Sequence, residues 1–135
     1  MVKSTTVYTG GLHCEAVHEP SGAGIATDAP ADNCGKGEAF SPTDLVGAAL
    51  AACMSTIMGI VAERHNIDLK GLSIDVAKHM NAEPRRIGKL EVTITVPLPA
   101  DTPYKSMLEA AAMSCPVKKS LHPDIDIPVT WVWAK

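Results

Sequence analysis

Alternation with period two opens the chain. Val7 and Tyr8 lead to Gly10-Gly11, after which Leu12, Cys14 and Ala16 alternate with His13, Glu15 and Val17, the pattern of a hairpin. This predicts strands over about 2–9 and 12–18, and a third short strand at Gly24–Asp28. The turn-forming stretch Pro30–Gly37 predicts a loop, and Cys34 lies within it. The pattern then changes. Ser41-Pro42-Thr43-Asp44 reads as a helix start: Ser41 caps, Pro42 suits the first helical position, and Asp44 completes a capping box at the positive end of the dipole. The helix is expected to run to about His65. Beyond it, Leu72, Ile74, Val76 and Met80, then Leu90, Val92, Ile94 and Val96, alternate with mostly polar residues and predict two antiparallel strands joined by a short loop. Thr102-Pro103 opens a second predicted helix to about Met113. Pro116, which lacks the donor needed to continue that helix, starts a short one over Pro116–Leu121. Val129, Trp131 and Trp133 alternate in a last strand. The order β-β-β-α-β-β-α-α-β defines an α+β chain.

The first helix carries the strongest signal. From Leu45 to Ala62 there are eighteen residues without a charge, the lower margin for spanning a bilayer. Five alanines in that run, with Gly47, Gly59, Ser55 and Thr56, make insertion weak, so no membrane is expected. A helix apolar all round is more simply buried, against a sheet on one face and another helix or subunit on the other. The 135-residue length suits one domain, 1–135, that buries about two-thirds of its unfolded surface. A net charge of −3 gives no basic excess for nucleic acid. Only five aromatics, Tyr8, Phe40, Tyr104, Trp131 and Trp133, leave the core to aliphatic residues and no platform for stacking bases. The N-terminal residues show no apolar signal segment, and four cysteines in a chain of this size are too sparse for a disulfide scaffold. Both observations point to the cytoplasm.

The cysteines differ in setting. Cys14 shares a face with Leu12 and Ala16 and reads as a small core hydrophobe. Cys34 reads as exposed, and Cys53, in the middle of the apolar helix, reads by type alone as buried filler. Cys115 immediately precedes Pro116 at a helix start, where free N–H groups, the dipole and the following Lys118 and Lys119 lower a thiol pKa. The five histidines, at 13, 18, 65, 79 and 122, have no i,i+4 pairing and no CxxC, so no metal site is expected. No nucleotide-binding or GxSxG motif occurs.

Two blocks carry a resemblance. Phe40-Ser41-Pro42-Thr43-Asp44-Leu45-Val46-Gly47-Ala48-Ala49-Leu50-Ala51-Ala52-Cys53, followed much later by Ser114-Cys115-Pro116-Val117-Lys118-Lys119-Ser120-Leu121, resembles the OsmC/Ohr family of thiol peroxidases over nearly the whole chain in element order. The resemblance implies an OsmC-like fold with antiparallel sheets around a long buried central helix, and an intertwined homodimer with two equivalent sites. It implies that Cys53 is the peroxidatic cysteine and Cys115 the resolving one. It further implies a small organic hydroperoxide or hydrogen peroxide as substrate, an external dithiol as reductant, and no cofactor or metal.

The chain departs from that family at two places. The family places an arginine from the N-terminal region beside the reactive thiolate, whereas the first arginine here is Arg64. It also uses a glutamate ten residues before the reactive cysteine, where this chain has Thr43, next to Asp44. Lys36, Arg85 or Arg86 are the candidate replacements for the cation, and Asp44 or Glu38 for the carboxylate; solvated charge or helix capping is the competing account of each. A different class therefore stands beside the peroxidase: a binding or thiol-trapping protein that keeps the dimer and its apolar pocket but turns over peroxide poorly.

Overall fold

The computed structural model describes residues Met1–Lys135, which divide into two compact units, Met1–Val46 and Gly47–Lys135. The first unit is a three-stranded antiparallel sheet in the order β1-β2-β3, formed by β1 (Ser4–Gly10), β2 (His13–His18) and β3 (Gly24–Asp28). The β1–β2 turn uses Gly10 and Gly11, both at positive φ, where a residue without Cβ carries no steric cost. Cys14 pairs with Tyr8 on one side and Thr27 on the other. The expectation of a core position for Cys14 does not hold: it and Ala16 are half-buried, and Leu12 falls in the turn and is exposed. Three strands without a covering layer of their own leave both faces open, and Val7, Tyr8, Val17 and Ile25 are exposed. After β3 the chain makes one 3₁₀ turn at Ala31–Asn33, ended by Cys34 in the left-handed region. Cys34 is exposed, as expected.

Helix α1 spans Pro42–Glu63. Its start is the capping box anticipated from Ser41 and Asp44: the Asp44 N–H donates to Ser41 Oγ at 3.1 Å, and the Ser41 N–H donates to Asp44 Oδ2 at 2.9 Å. Two otherwise orphaned donors are thereby satisfied.

The second unit packs most of α1 with a sheet and two further helices. β4 (Ser73–Asn81) and β5 (Arg86–Pro99) are antiparallel, with Ile74 opposite Ile94 and Val76 opposite Val92. β6 (Val129–Ala134) lies on the other side of β5 and runs parallel to it, with Trp131 opposite Ile94. The sheet is thus mixed, because the chain returns from β5 through α2 (Lys105–Met113) and α3 (Pro116–Ser120), and such a crossover delivers a strand in the original direction. The core takes Leu50, Met54, Met58 and Ala62 from α1, Leu90, Val92, Ile94 and Val96 from β5, and Leu108, Ala111 and Ala112 from α2. Gly47 explains how close the helix comes: a Cβ there would sit 3.3 Å from Val76 Cγ1.

Two sequence expectations need adjustment. The first helix is long and apolar enough to cross a membrane by length and composition, and burial on most sides was expected. Within one chain only the stripe Gly47, Leu50, Met54, Met58 and Ala62 is buried, while Ala49, Ala52, Thr56 and Ile60 are exposed. A 3.6-residue repeat lets a single sheet cover one stripe only. α2 begins at Lys105, three residues later than Thr102. Thr102 instead makes a turn: its carbonyl accepts from the Lys105 N–H at 3.3 Å and its Oγ1 from the Tyr104 N–H at 3.4 Å.

Candidate functional site

Cys53 sits halfway along α1, on the shoulder of the buried stripe between Leu50 and Met54, and is half-buried. Cys115 arrives from the other end of the unit. A residue before proline is pushed out of the helical region, and Cys115 accordingly has φ −58 and ψ 131 between α2 and α3. Its side chain caps α3, with Sγ accepting the Lys118 N–H at 3.3 Å. Cys115 is 0% exposed, and the neighbouring Cys53 thiol is one of the groups that raise its pKa. All four cysteines are free thiols.

The electrostatics at Cys115 reverse the sequence expectation. A helix start was expected to lower its pKa. Burial instead pushes the thiol up; the Lys118 and Val117 N–H groups pull it down by less, and the neighbouring Cys53 raises it further. Removing a thiolate from water outweighs the few fixed dipoles of a five-residue helix.

The remaining residues named from sequence fall into two groups. Lys36, Glu38, Thr43 and Asp44 lie in the first unit. There the Asp44 carboxylate accepts from Ser41, and Thr43 Oγ1 meets Ser41 Oγ at 3.2 Å, so both serve the helix start. Glu38 contributes its backbone N–H to Asp28 Oδ2 at 3.1 Å, and Lys36 adds positive potential at the same carboxylate. Arg85 lies in the β4–β5 turn and Arg86 opens β5, its Nη1 3.5 Å from the Ile87 carbonyl. No group of three or more His, Cys, Asp or Glu side chains is arranged to hold a metal ion.

One pairing was missed by sequence reasoning. His13 Nδ1 lies 2.6 Å from Asp28 Oδ1, and Asp28 is 5% exposed. The hydrogen bond to Asp28 raises the His13 pKa, and the same bond lowers that of Asp28. The available signal was positional: both residues end neighbouring strands on one face, but nothing in the spacing fixed their register.

Fold and site together define an α+β protein in which a helix-borne cysteine faces a second, fully buried cysteine at the start of a short helix. The chain belongs to the OsmC-like family: the model for OsmC-like proteins matches residues 35–130. A Psychrobacter arcticus 273-4 protein, assigned to osmotic stress induction and detoxification response, shares 45% identity at a TM-score of 0.92, with 97% of this chain and 96% of that one covered. An OsmC-like protein from Mycoplasma pneumoniae has a TM-score of 0.83 at 17% identity, with 100% and 98% covered. An organic hydroperoxide resistance protein OsmC from Legionella pneumophila has a TM-score of 0.75 at 17% identity, with 98% and 96% covered; at that identity the likeness is one of fold. No curated protein matches the sequence.

Proposed function

We propose that the protein is a thiol-dependent peroxidase that reduces organic hydroperoxides, or hydrogen peroxide, through Cys53 and Cys115. The observation that carries this reading is the division of labour in the pair: Cys53 is partly accessible, whereas Cys115 is enclosed and held as a thiol beside it. In the first step the Cys53 thiolate attacks the distal peroxide oxygen, the O–O bond breaks, and the departing alkoxide or hydroxide takes up a proton from water to leave as alcohol or water. Cys115 then condenses with the Cys53 sulfenic acid, forming the S–S bond and releasing water, and an external dithiol returns both thiols. Hydroperoxide resistance in the description of the Legionella relative accords with this chemistry.

The reading includes a cytoplasmic homodimer built from the single domain 1–135. Its support is the exposed α1 face of Ala49, Ala52, Thr56 and Ile60 and the uncovered strands of the first unit. The test is peroxide consumption with a dithiol reductant, together with mapping of every thiol. Turnover that disappears in Cys53→Ser, with a Cys53–Cys115 disulfide in the wild type, is the expected result. A dominant disulfide through Cys14 or Cys34 defeats it. Lys36, Arg85 and Arg86 enter as substitutions to be measured: Gln at the one that assists Cys53 slows the peroxide reaction, and Gln at the others leaves it unchanged.

One observation favours a second reading. The chain has no arginine before Arg64, so the first unit supplies no guanidinium to any reactive thiolate. A thiol-trapping or binding protein then forms the disulfide at most once per chain and does not turn over.

A further inference from the structure

A cavity of about 350 Å³ opens between the second half of α1 and the segment that joins it to β4. That size falls at the lower end for small-molecule sites, ~300–1,000 Å³. Its floor is apolar: Ala62 is buried, and Ile67, Leu69 and Leu72 are half-buried. Its rim is charged, with Glu63, Asp68 and Lys70 all exposed. Neither Cys53 nor Cys115 lines it.

Two features of the α1 wall have no account within the chain. Gly59 lies inside the helix, where glycine is among the least favourable residues, and a Cβ there would meet nothing within 4 Å. Gly47 differs, because Val76 crowds it. Ser55, one turn before Gly59, also lines the cavity. Its neighbour Thr56 donates its hydroxyl to the Ala52 carbonyl at 2.7 Å, whereas the Ser55 hydroxyl has no hydrogen-bond partner in the chain. An open position and an unpartnered hydroxyl thus meet at one wall.

We propose that this cavity binds a small zwitterion with a short aliphatic body, the chemistry of a free aliphatic amino acid. The floor takes the alkyl group, and the missing side chain at Gly59 leaves room for it against the helix. The rim carries both signs of charge. Lys70 meets the ligand's carboxylate, and Glu63 and Asp68 meet its ammonium; the Asp68 carboxylate is held in place by accepting the Lys70 backbone N–H at 2.8 Å. None of these three side chains forms an ion pair within the chain, so each charge is available to a ligand. A simple amine is opposed by Lys70, and a simple carboxylate by Glu63 and Asp68. A zwitterion complements all three. The Ser55 hydroxyl supplies one further hydrogen bond.

The experiment titrates the full chain with L-leucine, with isoamylamine, which lacks the carboxylate, and with isocaproate, which lacks the ammonium, and follows the backbone amides by NMR. L-Leucine is expected to shift the amides of Ser55, Gly59, Ile67 and Leu69 saturably, and each analogue to bind about fivefold more weakly, the upper scale of one exposed ion pair. Lys70→Gln is expected to weaken L-leucine and isocaproate by about that factor without weakening isoamylamine. Gly59→Leu fills the space and is expected to abolish L-leucine binding with the helical circular dichroism retained. No saturable shift with L-leucine, equal binding of all three probes, or L-leucine binding unchanged in either variant overturns the proposal. A smaller mass in light scattering for Gly59→Leu than for the wild type overturns it too, because a second copy then fills the cavity. Should Gly59→Leu fail to fold, Lys70→Gln, at an exposed position, decides it. No cysteine and no peroxide takes part, so failure of this binding and failure of peroxidase turnover are separately visible.

Discussion

His13 and Asp28 stand opposite each other across the β2–β3 pair, with the imidazole Nδ1 2.6 Å from the carboxylate Oδ1. The second oxygen of Asp28 accepts the Glu38 N–H at 3.1 Å, and the Asp28 N–H donates to the Phe40 carbonyl at 3.1 Å. One carboxylate thus ties two strands to the segment that leads into α1.

This arrangement gives the first unit a defined pH window. The His13 pKa is raised, so its contribution is fully present below the unfolded value near 6.5 and is lost as pH rises through the folded one. The Asp28 pKa is lowered, so its contribution is present above about 3.9 and is lost as pH falls through the folded value. Both contributions coexist between about pH 4 and 6.5. Protection of the Glu38 amide against hydrogen exchange, corrected for intrinsic rates, is expected to be greatest in that window. Asp28→Ala should lower it throughout and flatten its pH dependence. A His13→Gln variant with the wild-type profile would show that another group sets the window.

Ser41 provides the second prediction. It is 2% exposed, and its hydroxyl accepts the Asp44 N–H at 3.1 Å. Ser41→Ala leaves that donor without its partner and should destabilise the protein by about 1 kcal/mol. Urea denaturation checks the value. A change within about 0.3 kcal/mol would mean that the cap adds nothing beyond ordinary surface substitution.

Ser41-Pro42-Thr43-Asp44 also shows what a sequence can disclose. The capping box is local, and the helix start, its length and the strands flanking it follow from patterns within a few residues. Cys115 shows the limit. Its place at a helix start was legible from Pro116, but its complete burial is a property of the tertiary packing that no local pattern carries. That burial reversed the direction of its pKa. The His13–Asp28 contact likewise depends on strand register, and the uncovered face of α1 on the supply of covering elements. Local patterns carry no information about either.

The cysteine pair predicts a specific failure. If Cys115 resolves the Cys53 sulfenic acid, removing it leaves that acid with no thiol beside it, and a further equivalent of peroxide carries it to the sulfinic state. Cys115→Ala is expected to gain two oxygens on the Cys53 peptide under excess peroxide, while the wild type gains none there and loses two hydrogens to a disulfide. Intact-mass and peptide mass spectrometry distinguish the two. A Cys53 peptide that stays reduced in both proteins removes Cys53 as the peroxide-reactive thiol.

The last prediction concerns the outer face of α1. Ala49, Ala52, Thr56 and Ile60 recur every three or four residues and so form one stripe, exposed in the single chain, with Ile60 at 43%. Small side chains permit close approach of another helix, and a second copy presents the same stripe, as a two-fold interface requires. A stable assembly of this kind needs more than about 2,000 Å² in total. One helix stripe falls short of that, so the exposed Val7, Tyr8, Val17 and Ile25 of the first unit are expected to contribute. Light scattering of the wild type at micromolar concentration should give twice the chain mass. Ile60→Glu would place a carboxylate in the contact without touching the buried stripe, and should shift the mass toward the monomer with the helical content retained. A wild-type monomer would refute the assembly, and an unchanged dimer in Ile60→Glu would place the contact elsewhere on the chain.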